Sequence, residues 1–64
     1  MSRLKDRRTT AGLTQFELAD KAGISIRLVQ DYEQGHKNIN RAAAETVRRM
    51  AKALRCTVEE ILEE

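Results

Sequence analysis

The sequence predicts an all-α domain of five short helices, and three observations carry that expectation. Proline is absent, and Ala, Leu, Arg, Glu and Lys are frequent, which is helix-forming material. Gly12, Gly23 and Gly35 each stand just past a plausible helix end, where a left-handed residue is favoured. Nothing alternates with a period of two over a useful length, so strands are not expected.

The elements follow in chain order, with approximate bounds. The first helix spans about 2–11 with Ser2 as its cap, and its apolar content, Leu4 and Ala11, is thin. The second spans about 15–22. Thr14 followed by Glu17 makes a capping box there, and Leu13 and Leu18 are spaced as a hydrophobic staple. Its inward residues are Leu18, Ala19 and Ala22. The third helix spans about 26–34, capped by Ser25, with Ile24 and Val29 as the staple and Val29 and Tyr32 facing inward. The fourth, about 41–54, takes Asn40 as its cap. It carries Val47, Met50, Ala51 and Leu54 at i, i+3, i+4 and i+7, a clear inward stripe. The fifth spans about 58–63. Thr57 and Glu60 repeat the capping box, Cys56 and Ile61 repeat the staple, and Val58, Ile61 and Leu62 are apolar.

Length and composition exclude several classes. Sixty-four residues allow one domain, expected over 1–64. A chain this short buries only about 60% of its unfolded surface, so its core must be compact and local, or lean on a partner. One cysteine, Cys56, permits no internal disulfide and reads as a small apolar staple residue. One Cys with one His, His36, cannot build a four-ligand zinc site. No nucleophile–base pair is visible, so an enzyme, a cofactor and a small-molecule ligand are not expected. No apolar run approaches the roughly 18 residues of a membrane span, and no signal-peptide stretch opens the chain, so a cytoplasmic protein is expected. The only aromatics are Phe16 and Tyr32, which argues against modules that stack bases on aromatic platforms.

Charge is segregated along the chain. Residues 1–11 carry four basic and one acidic side chain, and 12–34 carry two basic and four acidic. Residues 35–55 carry six basic and one acidic, whereas 56–64 carry four acidic and none basic. A cationic middle with an anionic tail suits a polyanionic partner, but many solvated helix faces look the same. Arg48, Arg49, Lys52 and Arg55 read as a solvated outer face. Arg49 and Arg55 are expected within reach of the tail residues Glu59, Glu60, Glu63 and Glu64.

The function lies in the spacing of the second and third helices. They are joined by Gly23, Ile24 and Ser25, and Ala19 and Ala22 are small enough for a close approach. Two short helices with such a turn form a helix-turn-helix, although a small bundle with a tight corner has the same spacing. Leu13-Thr14-Gln15-Phe16-Glu17-Leu18-Ala19, Ala22-Gly23-Ile24-Ser25 and Tyr32-Glu33-Gln34-Gly35 stand in this order along the chain. This pattern resembles the Cro/lambda-repressor-like helix-turn-helix family, the xenobiotic-response-element type of bacterial and phage transcriptional regulators. Leu54, Thr57 and the Glu-Glu-Ile-Leu of 59–62 resemble the family's closing helix.

The resemblance implies a compact five-helix domain that binds double-stranded DNA, usually as a homodimer on a pseudo-palindromic operator. Gln15 is similar to the family's glutamine that meets a phosphate or supports the base-reading side chains. The third helix resembles the recognition helix, and Ser25, Ile26, Arg27, Gln30 and Asp31 fall on its DNA-facing start. Lys37, Asn38, Asn40 and Arg41 resemble the segment that touches backbone phosphates. Arg8 and Glu33 match a family ion pair between the first and third helices.

Side-chain chemistry agrees in part. Arg27 can bond bidentately to guanine and Gln30 to adenine, while Ile26 can touch only a thymine methyl or a sugar. The wheel turns Arg27, Asp31 and Gln34 outward. Asp31 can accept from cytosine, or it can lower non-specific affinity. Ile26 and Leu28 are apolar where many relatives are polar, Arg7 is charged where many are apolar, and Phe16 is expected to be partly exposed. An alternative follows: an adapter that keeps the fold and binds a protein through Ile26, Leu28 and Phe16.

Overall fold

A computed structural model describes residues 2–63. It contains four α-helices, α1 (Arg3–Thr10), α2 (Gln15–Ala22), α3 (Ile26–Gln34) and α4 (Ala44–Leu54). Two 3-10 turns, Ile39–Arg41 and Val58–Glu60, complete it, and there is no strand among the described residues. The all-α expectation holds, but the fifth helix does not. Its segment is the 3-10 turn Val58–Glu60, although the Thr57–Glu60 capping box forms there. The chain then closes one bond of α type, Leu62 N–H to the Val58 carbonyl at 3.2 Å, and goes no further. One turn gains too few bonds to propagate a helix.

Starts and stops explain the other boundaries. The Ser2 hydroxyl accepts from the Lys5 N–H at 3.0 Å and opens α1. Thr14 and Glu17 form the reciprocal box at α2, and the Ser25 hydroxyl accepts from the Leu28 N–H at α3. Asn40 does not cap α4. The helix starts three residues later, behind Ala43, with no side-chain cap. The chain turns inward first because Ile39 is buried in the core, and Asn38 caps the resulting 3-10 turn through the Asn40 N–H.

All four helices end in the same way. A backbone N–H three residues past the end of α1 and two past the ends of the others donates back across six residues: Leu13 to Arg8, Ile24 to Ala19, His36 to Asp31 and Cys56 to Ala51. This closure needs a left-handed residue. Gly23 and Gly35 supply it at φ 70° and 80°. At the end of α4 it falls on Arg55, the only described non-glycine residue with positive φ, at 57°. Side chains other than glycine are penalised there. Arg55→Gly is therefore expected to stabilise the fold by about 0.5–1 kcal/mol, net of glycine's greater freedom when unfolded. A urea midpoint unchanged or lowered in that variant would contradict the account.

The core is one cluster. Leu4 comes from α1, Leu18, Ala19 and Ala22 from α2, and Val29 from α3. Val47, Met50, Ala51 and Leu54 come from α4, with Ile39 and Ile61 from the two loops. α2 lies chiefly against α4 and α3, and its two alanines permit that approach. Leu13, Ile24, Tyr32, Cys56, Val58 and Leu62 pack around the rim. Burial, then the Glu60 carboxylate, push the Cys56 thiol up, as suits an inert staple residue.

Surface charges pair differently from expectation. Arg49 and Arg48 both bind Glu45 on their own helix, and their hydrogen bonds hold its carboxyl below the usual range. These are neighbours at i+4 and i+3, so the pairing is set by helix geometry rather than by the tail. The tail instead meets α1: Arg7 bonds Glu60 at 2.5 Å. Arg7 is thus exposed and paired, which is why a charge is tolerated at that position. Glu64 lies outside the described residues.

Candidate nucleic-acid interface

The helix-turn-helix is built by the α2–α3 corner. α2 stops at Gly23, Ile24 tucks against the core, and Ser25 starts α3. The corner is locked from behind by one polar network. Arg8 on α1 grips Glu33 on α3 with two bonds, Nε to Oε2 at 2.7 Å and Nη2 to Oε1 at 3.1 Å. Its Nη1 donates to the Leu13 carbonyl at 2.8 Å. Gln15 at the start of α2 donates from Nε2 to Glu33 Oε1 at 3.0 Å. Arg8 and Glu33 side chains are only 11% and 3% exposed, so this is a largely buried pair. The hydrogen bond to Glu33, opposed by burial, raises the Arg8 guanidinium further above its already high value. No buried side-chain polar atom among the described residues lacks a partner.

The network therefore joins α1, the α1–α2 connection, α2 and α3. Gln15 is held from inside, with its amide donor committed to Glu33. The first N–H groups of α2 have no partner within the helix, as at every helix start. The Glu17 N–H is taken by the Thr14 hydroxyl, so the Gln15 and Phe16 N–H groups, with the second N–H of the Gln15 amide, are what this corner offers an anion.

On α3, Val29 is buried, Tyr32 and Glu33 face inward, and Ile26, Arg27 and Gln34 are exposed. Gln30 and Leu28 are half-buried. Asp31 is not turned freely outward as the wheel suggested. Its carboxylate lies 3.7 Å from Arg27 Nε and 3.6 Å from His36 Nδ1, and is largely covered. The Ser25 hydroxyl is occupied by its cap bond.

The 37–41 segment is split. Lys37 and Arg41 are exposed and make no ion pair among the described residues. Asn38 is exposed but bound to the Asn40 N–H. Asn40 is fully engaged: its Oδ1 accepts from the Glu63 N–H at 2.8 Å, and its Nδ2 donates to the Glu63 carbonyl. The Glu63 carboxylate in turn accepts from the Arg3 N–H at 2.6 Å and caps α1. Sequence reasoning missed this clasp and the burial of Ile39. An isoleucine between two asparagines in a polar loop was the available signal for the second. Nothing local announced the first.

Phe16, at the start of α2, is 66% exposed. Among the described residues no group of His, Cys, Asp and Glu is placed to hold a metal ion, and no helix is long and apolar enough to cross a membrane.

A family model described as helix-turn-helix matches residues 4–61, nearly the whole chain. The chain belongs to the Cro/lambda-repressor-like helix-turn-helix family. No curated protein sequence matches it. This helix-turn-helix family consists of DNA-binding regulators and is generally not enzymatic. In this member of the family, α2 and α3 are the two helices of the motif, and Gln15 and Glu33 of the polar network bond one to the other.

Proposed function

We propose that this helix-turn-helix protein is a sequence-specific regulator of transcription that inserts α3 into the major groove of duplex DNA. The observation that carries the reading is the state of the α3 rim. Arg27 on α3 has its side chain 82% exposed, and α3 is tied through Glu33 to both Arg8 and Gln15. An exposed guanidinium on a braced helix is what bidentate reading of a guanine requires. Gln30 is the second base reader, and Ile26 meets a thymine methyl or a sugar. The α2 start, with Gln15, takes one phosphate, and Lys37, Asn38 and Arg41 take others. Ser25 and Asn40 belong to this surface by position, but they act by shaping it.

One nine-residue helix reads too few bases, so the protein acts as a homodimer with its α3 helices about 34 Å apart on a pseudo-palindromic site. The half-buried Val58 and Leu62, which border an apolar groove with Ile39, Ala42 and Val47, are the contact region; Ile61 is too deep to take part.

The test starts from duplexes selected out of a random pool. Arg27→Ala is expected to lose about 1–3 kcal/mol on the preferred site and to relax one base position. Affinity should fall steeply with salt as phosphate contacts release counterions. Unchanged affinity in Arg27→Ala, or a flat salt profile, would falsify the docking. The exposed Phe16 and Ile26 favour one second reading, an adapter that binds a protein through these apolar side chains and Leu28. Lys37→Glu separates the two, since it weakens DNA binding and leaves an apolar protein contact intact.

A further inference from the structure

An aspartate on the base-reading helix is a puzzle, because its charge repels phosphates. We propose that Asp31 is a positioning residue for Arg27. It holds the guanidinium by its Nε edge and leaves the two Nη groups to read a guanine. The proposal rests on the reading of α3 as the recognition helix and gives that helix its specificity device.

The geometry carries it. Arg27 and Asp31 are one helical turn apart, with Nε 3.7 Å from Oδ1. It is the Nε that pairs with the carboxylate, and two of the four Nη N–H donors suffice for guanine O6 and N7. The two partners are unequally free. Arg27 is 82% exposed at its side chain, whereas Asp31 is only 16% exposed. Asp31 is set against a closed turn: His36 Nδ1 lies 3.6 Å from the same Oδ1, and the His36 and Lys37 N–H groups fold back on the Asp31 carbonyl at 2.9 and 3.2 Å. A largely covered carboxylate thus faces an exposed cation.

Such an exposed pair contributes little to folding. Its effect falls on binding. Arginine has large rotamer freedom to lose, and restricting it beforehand lowers the cost of docking. Once the groove displaces water, the local dielectric drops and the pair tightens. The same carboxylate offsets part of the Arg27 charge, so attraction to phosphates at random sites weakens. Asp31 thereby exchanges general affinity for discrimination.

The experiment measures binding of Asp31→Asn to the selected duplex and to duplexes altered at each base pair. The base pair assigned to Arg27 is the one whose preference Arg27→Ala abolishes. Asp31→Asn is expected to bind random duplex more tightly and to lose about five- to tenfold discrimination at that base pair. The double variant Arg27→Ala/Asp31→Asn should then discriminate no worse than Arg27→Ala alone. Asp31→Ser, which also lacks the carboxylate, gives the same ratio by a second route. Uniform tightening with discrimination intact overturns the proposal, since Asp31 is then only a repelling charge. Lost preference at a different base pair, persisting without Arg27, also overturns it, since Asp31 then reads a base itself. Failure of the underlying reading is distinguishable: Arg27→Ala would keep every base preference, and both ideas would fall together.

Discussion

Glu33→Gln is expected to destabilise the protein by about 3 kcal/mol, the low end of what removing one partner of a buried ion pair costs. The glutamine keeps the size of the side chain but not its charge. Arg8, almost covered, is left as a cation facing only neutral acceptors, the new amide oxygen and the Leu13 carbonyl. Gln15 is disturbed as well, because its amide donor binds the same Glu33 Oε1. In a domain of this size the loss corresponds to a melting temperature lower by about 12–24 °C. The reverse substitution, Arg8→Met, is expected to be costly for the same reason, because it strands the Glu33 carboxylate. Replacing both together is milder than the sum, since the buried charges vanish as a pair. A thermal melt of Glu33→Gln coincident with the parent's would show that the pair does not hold α1 to α3.

Leu18→Ala is the second large effect, about 2–5 kcal/mol. Leu18 is fully buried at the centre of α2, the helix that packs on both α3 and α4. Truncating it removes apolar burial and leaves a cavity that two short, mutually braced helices cannot fill. The whole domain holds only about 3–10 kcal/mol against unfolding, by the usual 0.05–0.15 kcal/mol per residue. The variant is therefore expected to be substantially unfolded at 37 °C, by circular dichroism. Specific duplex at many times its dissociation constant should restore part of the helix signal, because the ligand binds only the folded form. Phe16→Ala, two residues upstream and 66% exposed, serves as the control and should change stability by no more than about 0.5 kcal/mol. A Leu18→Ala protein as stable as that control would show that α2 is not the keystone of the core.

Much of the architecture was readable because its signals are local. Thr14 and Glu17 form their capping box within one turn, and Gly23 and Gly35 take the left-handed geometry that their placement announced. The stripe Val47, Met50, Ala51 and Leu54 is buried as its spacing requires. The errors came where a distant part of the chain competes for a local signal. Asn40 has the chemistry of a helix cap, yet Glu63, far along the sequence, takes its amide. Arg55 carries no glycine-like cue, yet the closure from Cys56 to Ala51 forces it to positive φ. Glu60 was an expected partner for the α4 arginines, but Arg7 reaches it first.

The candidate interface divides along the same line. Which side chains stand at the start of α3, and their capacity to bond guanine or adenine, follow from residue order and helical pitch alone. The support behind them does not. Glu33 meets Arg8 across 25 residues and Gln15 across 18, and the half-covered position of Asp31 depends on how the 35–37 turn folds back. Helix caps, turns and apolar periodicity are encoded within about one turn of chain, so a linear reading recovers them. Long-range polar pairings are chosen only when packing brings the groups together and excludes water, so the folded molecule alone decides them.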